Sequence, residues 1–202
     1  METRYSDRVQ ENLGSRFSLS NRALNGVSAL HLIQGGLPLA PRATNVWDYA
    51  VAGQDFDAVT LMLGTNCSFI VLRHGNCDSV MWRKAMESIL NDLSGFKNRG
   101  GNPVDIVLMA PPIPNTKSGG MHRSIRKIRA VVSDLCAKRA NVTCRTDPYE
   151  TTLKIGVVES YACGVDWIHP CQEFHDAVAE QLTVELRAVT QKTQLAPISP
   201  DR

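Results

Sequence analysis

Hydrophobic residues recur along this chain in two periods, and the period changes from segment to segment. In residues 3–13, Tyr5, Val9 and Leu13 share one helical face, and Gly14 is placed to end the helix. From Phe17 to Leu24 the character alternates, which predicts a strand. The run Ala58-Val59-Thr60-Leu61-Met62-Leu63 is continuously apolar and stops at Gly64, as in a strand buried on both faces. Helical spacing returns over 80–96, with Ala85, Met86, Ile89, Leu93 and Phe96 in register, until Gly95, Gly100 and Gly101 break it. A second buried-type strand, 104–110, ends at Pro111-Pro112. A helix over 121–139 (Ile125, Ile128, Val132, Leu135) leads to a short strand over 141–145. A long irregular stretch then reaches Asp166, and a last amphipathic helix covers about 172–189.

Alternation of strand and helix is the order that gives a parallel sheet covered on both faces. The expected class is therefore α/β, a three-layer α/β/α sandwich around a flavodoxin-like sheet. The chain has 202 residues, enough for one domain, set at 1–193 with a polar, proline-containing tail over 194–202. The net charge of +2 and pI near 8.2 are too mild for a nucleic-acid surface. No apolar run approaches the length of a membrane span.

Six cysteines fall as three local couples: Cys67 and Cys77, Cys136 and Cys144, Cys163 and Cys171. That spacing fits disulfides in an exported protein; six reduced thiols is the other reading. Neither CxxC pairs nor ligand-spaced histidines accompany them, so a zinc site is not expected. Asn66 and Asn141 head N-x-[ST] sequons.

In parallel sheets, chemistry gathers in the loops after the strands. After the Phe17 strand comes Asn25-Gly26-Val27-Ser28, after the Ala58 strand Gly64-Thr65-Asn66, and before the last helix Asp166-Trp167-Ile168-His169-Pro170. Each alone reads as a turn or a cap. Asp166 and His169, three apart, can meet so that the carboxylate fixes one imidazole nitrogen and frees the other as a base. No GxGxxG or P-loop supports a nucleotide-binding sheet.

Together, in this order, the three blocks resemble the SGNH hydrolases, serine esterases and acyl hydrolases of the GDSL type. The likeness covers about residues 4–188, and Phe56 to Asn66 is close to the family's usual strand and loop. The family usually has Asp after that Asn; here stands Cys67. The resemblance implies His169 as general base, Asp166 orienting it, and Asn66 with the Gly26 N–H as oxyanion-hole donors, Gly64 shaping the turn. It implies no cofactor, and small-molecule, lipid or acylated-sugar esters as substrates. The family carries its nucleophile in Gly-Asp-Ser at the end of a first strand. Neither Tyr5-Ser6-Asp7 nor Asp78-Ser79 matches, so the nucleophile and the first strand are expected to be missing from the start of the chain. A non-catalytic binding or scaffold protein on the same fold is the alternative. If the cysteines are oxidised, a Cys163–Cys171 bridge would brace the Asp166–His169 loop.

Overall fold

In the segment 105–109, Ile106, Val107, Leu108 and Met109 are almost fully covered. A computed structural model describes residues 4–23, 27–30, 56–68, 78–114, 119–156 and 170–194. Its elements in chain order are α1 (Tyr5–Leu13), β1 (Ala58–Met62), α2 (Ser79–Ser94), β2 (Asp105–Met109), α3 (Gly119–Ala137), β3 (Val142–Arg145), α4 (Asp147–Ile155) and α5 (Gln172–Gln194). Among the described residues the strands form a parallel three-stranded sheet in the order β1-β2-β3. Ala58 pairs with Asp105 and Met62 with Met109 on one side, and Ile106 with Val142 and Met109 with Arg145 on the other.

Side chains of a strand alternate between faces, and β2 separates two cores. Ile106 and Leu108 point into a cluster built by α2 and α3 (Trp82, Met86, Ile89, Ile125, Ile128, Val132). Val107 and Met109 point the other way, onto Val9 and Leu13 of α1 and Ala179, Leu182 and Leu186 of α5. The chain is thus the three-layer α/β protein that its alternating pattern predicts.

Four expectations need correction. Residues 17–23 form no strand. Phe17 and Leu19 do turn toward the α1–α5 core, but their backbone groups bond to a side chain. Gln10 donates through Nε2 to the Phe17 carbonyl (3.0 Å) and accepts through Oε1 from the Leu19 N–H (2.7 Å). β1 is not buried on both faces: all five of its residues are only half-covered, whereas β2, flanked on both sides in the described sheet, is enclosed. And the irregular stretch after β3 opens with a helix, α4. Pro148 sits in its first turn, where a missing N–H costs nothing, Lys154 in its last, and Gly156 comes next at φ 90°. α5 also runs five residues beyond its expected end, to Gln194.

Local chemistry explains where other elements begin. Asp78 Oδ1 accepts from the N–H groups of Val80 (2.9 Å) and Met81 (2.8 Å) and caps α2. Ser6 lies buried within α1, its hydroxyl accepting from Asn21 Nδ2 at 3.0 Å. Both sequence candidates for a displaced serine block therefore have structural work.

Cys136 and Cys144 form a disulfide joining the end of α3 to β3, with 5.7 Å between their Cα atoms. Cys67 is also disulfide-bonded. The Cys163–Cys171 expectation lies outside the described residues, as Cys163 is not among them. Closing this short loop, whose cysteines are separated by 8 in sequence, should stabilise the fold by about 2.5 kcal/mol through the unfolded chain's lost freedom. Urea denaturation of the Cys136→Ser, Cys144→Ser double variant should show that loss, and an unchanged midpoint would refute it.

At the start of β1, Arg99 Nε donates to both carboxylate oxygens of Asp57, at 2.9 and 3.1 Å. The Arg99 hydrogen bond holds the Asp57 carboxyl below the usual carboxylate range. A depressed carboxyl stabilises above its unfolded pKa, near 4, and that contribution is lost as pH falls through the folded value. Arg99 is well exposed, so less than about 1 kcal/mol is at stake. Asp57→Asn should lower the urea midpoint slightly at pH 7 and hardly at all at pH 2.5. An equal loss at both would show that the charge is irrelevant.

Candidate functional site

Where β1 ends, the chain must turn sharply beneath two neighbours, and Gly64 makes this possible. Its φ is +141°, and a Cβ there would sit 3.0 Å from Pro111 Cγ and 3.2 Å from Ile128 Cδ1 and Cγ2. Residues 65–68 then form one helical turn, closed by the Ser68 N–H donating to the Gly64 carbonyl at 2.9 Å. This turn places Asn66 at the carboxyl end of the sheet.

Asn66 Nδ2 donates to the carbonyl of Val27 at 2.9 Å, across 39 positions of sequence. The bond joins the loop after β1 to the loop that carries Asn25-Gly26-Val27-Ser28. An amide has two N–H groups, so one remains to Asn66 beyond the Val27 bond. Asn66 is only half-buried, while Val27, Ser28, Cys67 and Ser68 around it are enclosed. The turn is tied on its other side by Ser68 Oγ, which hydrogen bonds to Ser124 Oγ of α3 at 3.1 Å.

The ends of the other strands complete this face. Residues 110–114 after β2 are buried, and the Ile113 N–H reaches Thr152 Oγ1 of α4 at 3.4 Å, a hydroxyl that itself donates to the Pro148 carbonyl at 2.8 Å. His122 Nε2 lies 2.9 Å from the Pro114 carbonyl. At the end of β3, Arg145 Nη1 pairs with Glu185 Oε2 of α5 at 2.8 Å, both side chains largely covered.

Of the residues singled out from sequence, Gly64 and Asn66 are therefore seen at a strand end, with Asn66 bonded to the residue next to Gly26. Gly26, Asp166 and His169 lie outside the described residues, as does Trp167. The sequence reading missed the Val27 carbonyl, the Ser68–Ser124 pair and the α4 threonine; Pro148, in the first turn of α4, is the local signal that could have announced that helix. Both sequon asparagines use their amide nitrogens internally, Asn141 Nδ2 donating to the Val104 carbonyl at 3.1 Å. A glycan on either nitrogen would leave it a single N–H. No helix among the described residues is long and apolar enough to cross a membrane.

No protein-family model and no curated protein matches the chain. Solved structures do. The native aryl esterase of M. smegmatis superposes over 92% of this chain and 85% of its own, at 17% identity and a TM-score of 0.64. A carbohydrate acetylesterase from Sinorhizobium meliloti covers 92% and 85%, at 14% identity and a TM-score of 0.65. An acetylxylan esterase from Geobacillus stearothermophilus, crystallised as a catalytic mutant, covers 93% and 81%, at 17% identity and a TM-score of 0.62. With this architecture and these neighbours, the chain has the α/β fold of the SGNH hydrolases.

Proposed function

We propose that this chain is the scaffold of an ester hydrolase working by acyl transfer, with His169 as general base, Asp166 orienting it, and Asn66 and the Gly26 N–H donating to the oxyanion. The observation that carries the reading is the Asn66–Val27 hydrogen bond. It brings together, at a strand end, the two loops to which an oxyanion hole is assigned, and it fixes the Asn66 amide before any substrate arrives. Preorganised donors of this kind are the largest single contribution in many acyl-transfer sites.

In the proposed reaction a hydroxyl attacks the ester carbonyl carbon while His169 takes its proton, and the carbonyl oxygen becomes an oxyanion held by Asn66 and Gly26. The intermediate collapses, breaking the bond to the alcohol, which leaves with the proton from His169. Water repeats the sequence and releases the acid. No serine of this chain is assigned as nucleophile: Ser28 and Ser68 at the strand ends are both fully buried. The fold's esterase neighbours act, by their names, on aryl esters and acetylated carbohydrates, and these are the substrates proposed first.

The test is a chain extended upstream by an apolar strand ending in Gly-Asp-Ser, assayed on p-nitrophenyl acetate and acetylated xylose beside the chain as it stands. The extended protein should hydrolyse at least one of them and the original neither. His169→Ala should abolish the reaction, and Asn66→Ala should lower kcat by about 10²–10³. An extended protein that is folded by circular dichroism but inert would refute the reading and favour a binding protein on the same fold.

A further inference from the structure

A cleft opens between α1 and α5, away from the strand-end loops, and its chemistry is unlike theirs. Its volume is about 160 Å³, and it is lined by Leu13, Arg16, Phe17, Arg187, Thr190 and Gln191. None of these six is acidic. Two arginines, a threonine and a glutamine thus line a small recess with one leucine and one phenylalanine.

The recess is built rather than incidental. Gly14, at φ 76°, ends α1 and turns the chain back, and the Phe17 N–H closes the turn on the Gly14 carbonyl at 3.3 Å. Gln10 then clamps the segment beyond the turn, donating to the Phe17 carbonyl at 3.0 Å and accepting from the Leu19 N–H at 2.7 Å. Arg16 and Phe17 are therefore held on a braced turn. On the facing wall, Arg187 Nη2 donates to the Asn12 carbonyl at 2.5 Å, which fixes one edge of its guanidinium and leaves the other N–H groups of the fork for another partner. Arginine forks match oxyanions in geometry and charge. A cavity of about 150 Å³ is enough for one benzene ring, so the volume suits a single-ring molecule.

We propose that this cleft binds a small organic oxyanion, a carboxylate or phosphate monoester on one apolar ring, with the anionic group between Arg16 and Arg187 and the ring against Phe17. The proposal does not depend on the esterase reading, since none of its residues belongs to that site.

Isothermal titration calorimetry of the intact chain tests it, with phenyl phosphate, benzoate, inorganic phosphate and phenol as probes. Phenyl phosphate or benzoate should bind one to one, more tightly than inorganic phosphate, while phenol gives no saturable heat. Affinity should fall as salt rises. Arg16→Gln and Arg187→Gln should each weaken binding by roughly tenfold or more, as expected for loss of a charged hydrogen bond. Arg187→Gln also removes the Asn12 contact; if that variant does not fold, Arg16→Gln, whose side chain takes no part in that contact, decides alone. Absence of saturable binding by any oxyanion, or unchanged affinity in Arg16→Gln, would overturn the proposal. Equal affinity for phenol and phenyl phosphate would do the same, by showing that the arginines are not read.

Discussion

Trp82→Ala should lower stability by about 3–5 kcal/mol, the range for removing a large aromatic from a core. Trp82 is completely buried on α2, among the side chains that pack against β2 from one face. Its loss leaves a hole that the surrounding isoleucines and methionine can only partly fill. In a domain of this size such a change lowers the melting temperature by roughly 10 °C. Trp82→Phe separates packing from polarity. The indole Nε1 is buried and finds no hydrogen-bond partner among the described residues, so the phenyl ring loses volume but also sheds an uncompensated N–H. Its expected cost is about 1 kcal/mol. Urea denaturation of both variants gives the comparison, and a loss below about 1 kcal/mol for Trp82→Ala would mean that the residue does not fill this core.

The second large effect is expected at Gly64. Gly64→Ala combines a backbone angle that side chains rarely adopt, φ +141°, with a Cβ driven against Pro111 and Ile128. Strain and overpacking together should cost about 2–5 kcal/mol. Gly14 is the control, because it too has a positive φ, 76°, but open space where its Cβ would go. Gly14→Ala should therefore cost about 1 kcal/mol. The difference between the two variants measures the close approach of β1's end to the loop after β2 and to α3. If both cost the same, packing at Gly64 contributes nothing and only its dihedral angle matters.

These residues also show what could be read from sequence and what could not. The apolar runs that became β1 and β2 and the helical spacing of α2, α3 and α5 were legible, because local periodicity reflects the face that is buried. Phe17 and Leu19 show the limit of that reasoning. Their alternation does report burial, but hydrogen-bond partners are not written in a hydrophobic pattern, and Gln10 replaces the neighbouring strand. α4 was hidden because Thr151, Thr152 and Ile155 are β-branched and poor in helix propensity. Tertiary anchoring outweighs this, with Thr152 buried and bonded to the α4 backbone. At the candidate site, Gly64 and Asn66 were visible as a turn. Their fit was not: the Pro111 and Ile128 contacts and the Val27 bond all span long stretches of chain, and no local signal encodes them.

The pairing of α1 with α5 has a consequence for how the molecule is made. Asn12 meets Thr183 and Arg187, at sequence separations of 171 and 175, and the Tyr5 ring stacks on His175 with centroids 6.1 Å apart. One whole layer is therefore assembled from segments that leave the ribosome at very different times. Until α5 has been synthesised, Val107, Met109 and the apolar side of α1 lack Ala179, Leu182 and Leu186, while α2, β2, α3 and β3 can already condense from near neighbours. Such long-range closure slows folding, and between the synthesis of β2 and that of α5 one side of the nascent sheet stays incompletely covered and greasy, a stage at which a chaperone would find its natural grip.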